Sequence, residues 1–467
     1  MEYGFLSVLP IIVSLAMAII TKSVFLALMF GCFTAFPIIT GDLFLGFRAT
    51  LDAFIAVFSD NWNTVMISTT LLVGGLLTVL EKSGGVGGFV KMVTSKRSFI
   101  KNRKHAEFFS WIVGILVFTS GTLSTLITGV VSRPLTDAFR VPREKLAYIV
   151  HTTSSPVCAL LPLSAWGGYL LSLMTANGVD STNSVPILVK SISLNFYCIL
   201  ALLAVPVFIL TKKDFGPMKT IEDQYARGEK LQNIEKSESE EEELKDLKIS
   251  SGWNMLLPIL TMIGTIVGTL FITGNGNIAN GDSLSAILYG NVFAVIVAFI
   301  LIVGKKVMKY TEFIDTMFLG AGEMLSVALI LVFAWTMGGV VKTLGTGEYL
   351  LSIFRSFLSP GLLPATIFIA SCVISFATGS SWGTMAIMFP IALPMAFGIN
   401  MSIPLIISSI VGGSVFGDHA SPISDTTVMT CFTSKCDPMS HVRTQLPYVV
   451  VVAAITFVIY LILGFIM

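Results

Sequence analysis

Charge is scarce in this chain. Lys, Arg, Asp and Glu together make up 12% of its 467 residues, while 54% are hydrophobic. A soluble domain carries roughly 25% charged residues. Too little charge is left to cover a surface facing water, and a mean hydropathy of +0.84 points to a bilayer. Net charge is almost absent as well: 29 basic against 28 acidic residues give no sign of a nucleic-acid partner, and none is expected. Histidine is sparse. Residues 105, 151, 419 and 441 lie far apart in sequence and supply no clustered ligands for an intramembrane zinc hydrolase, so no enzyme and no cofactor are expected. The six cysteines (Cys32, Cys158, Cys198, Cys372, Cys431, Cys436) form no CxxC pair and read as small buried residues. The first apolar stretch, LSVLPIIVSLAMAII, has no basic region before it and no clear cleavage site after it, so it reads as a membrane helix rather than a leader.

Long apolar text is what the sequence has in abundance. A spanning helix needs about 20 apolar residues, and candidates fall at 5–21, 24–41, 62–82, 144–174 (interrupted), 187–211, 253–273, 284–304, 320–343, 402–434 (interrupted) and 446–467. Two further stretches, 107–132 and 361–396, are broken by TSGTLST and ATGSSWGT. Half of either, about a dozen residues, rises only about 18 Å, so both read as re-entrant hairpins. The Lys and Arg pattern fits ten crossings. Lys82 to Lys104, Arg133 to Lys145, Lys212 and Lys213, Lys305 to Lys309, and Lys435 with Arg443 all fall on one side, which the positive-inside rule makes cytoplasmic. Both termini are then external. The polar run 212–252, with SESEEEELKDLK, reads as a solvated cytoplasmic linker.

The two halves match weakly but in order. LPII at 9–12 pairs with LPIL at 257–260, GGLLTVL at 74–80 with GGVVKTL at 338–344, FTSG at 118–121 with FATG at 376–379, and LPLS at 161–164 with SPIS at 421–424. Five crossings per half force opposite orientations. The expected fold is an all-α polytopic membrane protein with two inverted-topology repeats, 1–211 and 253–467. Each has five crossings and one re-entrant hairpin, with broken helices at the midplane. Secondary transporters carry this mark, and they bind their cargo where the breaks meet. Backbone groups freed by a broken helix are tolerated only where they face a cavity or a ligand.

The chemistry lies in the breaks. SVFGDHASPISDTTVM puts Asp418, His419 and Asp425 around one irregular turn. Ser421 reads as an N-cap, followed by Pro422 at the first helical position. Asp425 falls in the first turn of the next half-helix, where an anion is favoured. A charge at mid-bilayer costs at least about 2.5–3.5 kcal/mol, so such residues usually bind an ion or move a proton. Plainer readings stand beside this one. Asp425 is a helix-cap anion, Asp418 the partner of a Lys or Arg, His419 an orienting residue; no Lys or Arg is expected in the interior. Ser421, Ser424 and Thr426 add hydroxyls. The matched first-half break, HTTSSPVCALLPLSAW, offers Thr153, Ser154, Ser155 and Ser164 but no acid, with Ala165 standing where Asp425 does. The hairpin tips contribute Ser120, Gly121, Thr122 and Ser124 from one, and Thr378, Gly379, Ser380, Ser381, Trp382 and Thr384 from the other. Oxygen clusters without thiolate suit hard cations, and helix N-termini at the tips suit a substrate carboxylate. Glu323 reads as pathway or solvated, Glu81 as interfacial, and Trp166 and Trp382 as cavity wall or packing.

GSSWGTMAIMFPIALPMA at 379–396, GSVFGDHASPISDTT at 413–427 and GAGEMLSVALILVFAWTMGG at 320–339 resemble the NhaC-type sodium/proton antiporter family, within the ion transporter superfamily. That resemblance implies a scaffold that dimerises, elevator movement of a transport unit, and multi-pass residence in the cell membrane. The family also holds exchangers of organic acids, such as malate for lactate. The reading is therefore a cation-coupled antiporter in which Na⁺ and H⁺ compete at Asp418 and Asp425. Burial favours a carboxylate's protonated form and a bound cation its charged form. The alternative is the same fold moving a small organic acid or amino acid. Paired breaks with few charges argue against a channel.

Overall fold

The computed structural model describes all residues except 1–2, 22, 95–99, 101, 119–120, 163–164, 228–248, 277–280, 347–348, 350–351, 354–358 and 423. Ser120 and Ser164 therefore lie outside the described residues, as does the side chain of Thr122.

The first half runs Leu9–Thr21 (α1), Val24–Thr40 (α2), Leu43–Val57 (α3), Asn61–Lys82 (α4), Gly85–Thr94 (α5), Arg103–Leu116 (α6), Gly121–Ala138 (α7), Arg143–Thr152 (α8), Ser155–Leu160 (α9), Ala165–Ala176 (α10), Ser181–Ser193 (α11) and Phe196–Thr211 (α12). A connecting helix follows, Gly216–Ala226 (α13). The second half runs Trp253–Thr273 (α14), Ser283–Gly304 (α15), Tyr310–Glu323 (α16), Leu325–Thr343 (α17), Leu363–Thr378 (α18), Ser381–Gly398 (α19), Ile403–Ala420 (α20), Asp425–Ser434 (α21) and Pro438–Ile466 (α22). Helix starts follow short polar side chains. Ser23, Asp42, Asp60, Asn102, Asn195, Asp282, Ser380 and Asp437 each accept a backbone N–H of the first turn, which satisfies a donor the helix leaves open.

Among the described residues, nine helices are long and apolar enough to cross a membrane. The fold is all-helical and polytopic. Packing partners reciprocate between the halves. α4 lies against α15 and α16, while α17 lies against α2 and α3. Likewise α7 packs on α21, and α19 on α10.

Three features depart from the sequence expectation. The hairpin arms are longer than a dozen residues: α7 and α19 each have 18, a rise of about 27 Å, so length alone does not keep them from crossing. The 144–174 span is cut into three short helices rather than broken once. The connector is not wholly solvated, because α13 buries Met218, Ile221 and Tyr225. An ionic cluster anchors it: Lys145 Nζ lies 2.8 Å from Asp214, 3.2 Å from Glu222 and 3.7 Å from Glu107, and Arg103 pairs with Glu107 and Glu222.

Candidate functional site

The break between α20 and α21 differs in register from the sequence reading. α20 continues through Gly417, Asp418 and His419 to Ala420, and Ser421 is its C-cap rather than an N-cap. Ser424 stands at the N-cap position of α21, and Asp425 is its first residue. Pro422 therefore lies between the helices. Gly417 is helical, and its value is closeness: a Cβ there would stand 2.3 Å from Ser375 Cβ and 2.4 Å from Phe376 N. Ser375 donates to Ser414 O at 2.5 Å across the same contact. Small residues let α18 and α20 touch along their backbones, which fixes the second hairpin against the break.

Asp418 ends up buried, 2% exposed, within a ring of four hydroxyls from three places in the chain. Its Oδ1 accepts from Ser424 and, at 3.3 Å, from Thr426. Its Oδ2 accepts from Ser155 at 3.1 Å and from Ser381 at 3.5 Å. Ser155 begins α9, Ser381 begins α19, and Ser424 and Thr426 flank the start of α21. The helix starts thus aim their hydroxyls and positive dipole ends at one carboxylate.

A cavity of about 660 Å³ opens beside this ring. Asp418, Asp425, Ser155 and Thr426 line it together with Gly121 of the first tip and Gly379, Ser380, Ser381 and Trp382 of the second. Gly379, at φ 65°, makes the reversal between α18 and α19 that only a residue without Cβ adopts freely. Trp166 also lines the cavity, with its ring 5.4 Å from that of Trp382. Glu81 and Glu323 line it too, the latter accepting from Thr78 at 3.4 Å. Glu81, expected at the interface, thus shares a cavity with both aspartates. Asp425 is exposed to the cavity, and its carboxylate accepts its neighbour's N–H, Thr426 N, at 2.9 Å.

Other expected site residues hold the frame. Ser421 donates to Phe376 O, Ser124 to Gly114 O and Thr153 O, and Ser154 to His151 O. Thr153, Thr378 and Thr384 bond back into their own helices. His419 is not in the cluster around Asp418: its ring nitrogens meet Tyr197 OH at 3.0 Å and Thr152 Oγ1 at 3.2 Å.

Two further features concern charge and histidine, and among the described residues no group of His, Cys, Asp and Glu forms a metal-holding set. Arg133, in the basic segment 133–145, is buried, 1% exposed, and donates to Thr433 O. Three of the four histidines converge: the His151 ring lies 4.6 Å from that of His419 and 5.3 Å from that of His441. His441 and Gln445, four apart on one apolar helix, carried the signal, because that spacing puts two polar groups on one face.

An all-helical membrane chain whose helix breaks and hairpin tips close on a buried carboxylate has the build of a secondary transporter. The profile of the Na⁺/H⁺ antiporter family matches residues 157–465, and the chain belongs to that family, in its NhaC-type branch. An uncharacterised protein of Haemophilus influenzae is 31% identical over 98% of this chain and 91% of its own. The malate-2H⁺/Na⁺-lactate antiporter of Bacillus subtilis is 35% identical over 29% of this chain and 28% of its own. The arginine/ornithine antiporter ArcD of Halobacterium salinarum is 27% identical over 45% and 41%. Two solved structures share the fold. MtrF of Neisseria gonorrhoeae, from a class of antimetabolite efflux pumps, has a TM-score of 0.60 at 14% identity over 89% of this chain and 84% of that one. The YdaH transporter of Alcanivorax borkumensis has a TM-score of 0.56 at 13% identity over 90% and 89%.

Proposed function

We propose that this antiporter-family protein exchanges sodium for protons at Asp418. The observation that carries the reading is the ring itself: a buried carboxylate met by the hydroxyls of Ser155, Ser381, Ser424 and Thr426. Carboxylate and hydroxyl oxygens are the donors a hard cation takes, and the same carboxylate is the group a proton neutralises when sodium leaves. One site that holds either cation, never both, yields exchange. Asp425, facing the cavity, draws the cation in.

Alternating access by elevator movement completes the reading. The reciprocal packing of α4 and α17 supports two repeats inserted in opposite orientation, with α1–α4 and α14–α17 as scaffold. The hairpins and broken helices move as one unit. A homodimer held by the scaffold, external termini and a cytoplasmic 212–252 linker belong to the same reading.

A second reading is favoured by the cavity's size. About 660 Å³ far exceeds one ion and a few waters, each with a share of about 30 Å³. Asp418, Asp425, Glu81 and Glu323 line it, with no lysine or arginine among the described lining residues. Such a wall favours an amine-bearing solute, such as a basic amino acid, over malate or lactate. The two readings separate in purified protein. Sodium alone raises the melting temperature in the first, and less so as pH falls, since protons compete for Asp418. Stabilisation by ornithine or arginine with none by sodium would overturn it in favour of the second.

A further inference from the structure

From the hydrogen bonds behind the ion site we infer that His441, His151 and Thr426 form an oriented proton relay that serves Asp418; the inference rests on the sodium/proton reading. The links are continuous. His441 Nε2 lies 3.1 Å from His151 Nδ1, and His151 Nε2 lies 3.0 Å from Thr426 Oγ1. Thr426 Oγ1 is 2.8 Å from Ser424 Oγ and 3.3 Å from Asp418 Oδ1, and Ser424 donates directly to Asp418. Both histidines are fully buried.

Gln445 sets the direction. Its Nε2 faces the carbonyl of His419, which can only accept, so the amide nitrogen must stand there. The second hydrogen of that nitrogen points to His151 Nδ1 at 3.2 Å. Nδ1 of His151 is therefore an acceptor and its Nε2 carries the hydrogen. It follows that His441 donates through Nε2, His151 donates to Thr426, and the hydroxyl hydrogens of Thr426 and Ser424 point on toward Asp418. Every donor in the chain faces the carboxylate.

The transfer balances. A proton gained at His441 Nδ1 releases the Nε2 proton to His151 Nδ1. His151 passes its Nε2 proton to Thr426 Oγ1, whose own proton moves to Asp418 directly or through Ser424. Each imidazole and each hydroxyl on the way gains one proton and loses one, so each stays neutral, and the net change is a protonated Asp418. Sodium arriving at Asp418 drives the same steps backward and restores the starting tautomers. The outer terminus is free to serve: His441 Nδ1 has no hydrogen-bond partner among the described residues. His441 stands in the first turn of α22, whose Pro438 and Met439 are exposed. Around the relay stand Asp425 at the start of α21, His419 on α20, Tyr197 behind His419 on α12, and Glu144 on α8, which accepts from Ser440 at 3.0 Å.

The relay meets the cavity only at Thr426, and His151, His441 and Gln445 are not among its lining residues, so proton and sodium steps should come apart. His441→Gln keeps a donor toward His151 and cannot relay; Gln445→Leu keeps both histidines and releases their tautomers. In proteoliposomes, sodium-for-sodium exchange needs no proton, and both variants should run it at the wild-type rate with unchanged sodium affinity. Sodium-driven proton movement should fall by about ten-fold or more. Wild-type proton movement in either folded variant would overturn the relay. So would an equal loss of both exchanges, which marks a structural role. Absence of sodium-driven proton movement in the wild-type protein would defeat the sodium/proton reading, and the relay with it.

Discussion

Ser155, at the start of a short helix in the first half of the chain, donates a 3.1 Å hydrogen bond to Asp418, 263 residues further on. The acid-free break of one half thus completes the shell of the acid carried by the other. Asp418→Asn removes the full charge that those hydroxyls surround, and exchange should fall to background while the protein still inserts and purifies as wild type. Asp425 faces the cavity and shares none of those four bonds. Asp425→Asn should keep exchange but raise the sodium concentration for half-maximal rate by about ten-fold, equivalent to about 1.4 kcal/mol. Sodium-dependent uptake in vesicles distinguishes the two.

Gly417 is a point of close approach between the second hairpin and the broken helix. Gly417→Ala places a Cβ 2.4 Å from a backbone nitrogen that cannot rotate away. Overpacking of this kind costs about 1–3 kcal/mol, and the displaced hairpin would carry Ser381 off Asp418. A lowered melting temperature together with weakened sodium binding is expected. Wild-type values for both would show that the contact is slack.

The ionic anchor of the connector gives a stability prediction that leaves the ion site untouched. Lys145 faces three carboxylates, and its side chain is 6% exposed. Lys145→Met leaves those carboxylates short of a partner, a loss of about 3–5 kcal/mol for a buried pair. Thermal unfolding should come earlier, with sodium affinity in the surviving folded protein unchanged.

Much of this was legible in the chain, and what escaped did so for physical reasons. Composition and run length settle the membrane and the helical class, because a bilayer allows few alternatives. GDHASPISDTT marks a break since its polar residues stand in apolar text. The register of that break was not legible. Ser421 and Ser424 both suit a cap, yet neither hydroxyl caps α21: Ser424 stands at the N-cap position and donates to Asp418, while Ser421 bonds the carbonyl of Phe376 on the neighbouring hairpin. The histidine chain was hidden for a similar reason: His151 and His441 lie 290 residues apart, and only the docking of α8 on α22 joins them.

Orientation can be read with single cysteines at Ser237 and near Met467 in a background lacking the six native ones. On the proposed topology, drawn from the basic residues at 82–104 and 305–309, the linker is inside. An impermeant thiol reagent on intact cells should label the C-terminal position and spare 237, and the reverse pattern would invert the topology.

The central claim is that one carboxylate serves sodium and protons in turn. Its most direct test is the luminal pH of proteoliposomes that hold the purified wild-type protein, loaded with sodium and diluted into sodium-free buffer. Sodium leaving through Asp418 must be replaced by protons entering, so the lumen should acidify with no organic solute present, and Asp418→Asn should abolish the signal. A flat trace with sodium alone, restored when an organic acid or amino acid is added, would contradict the account.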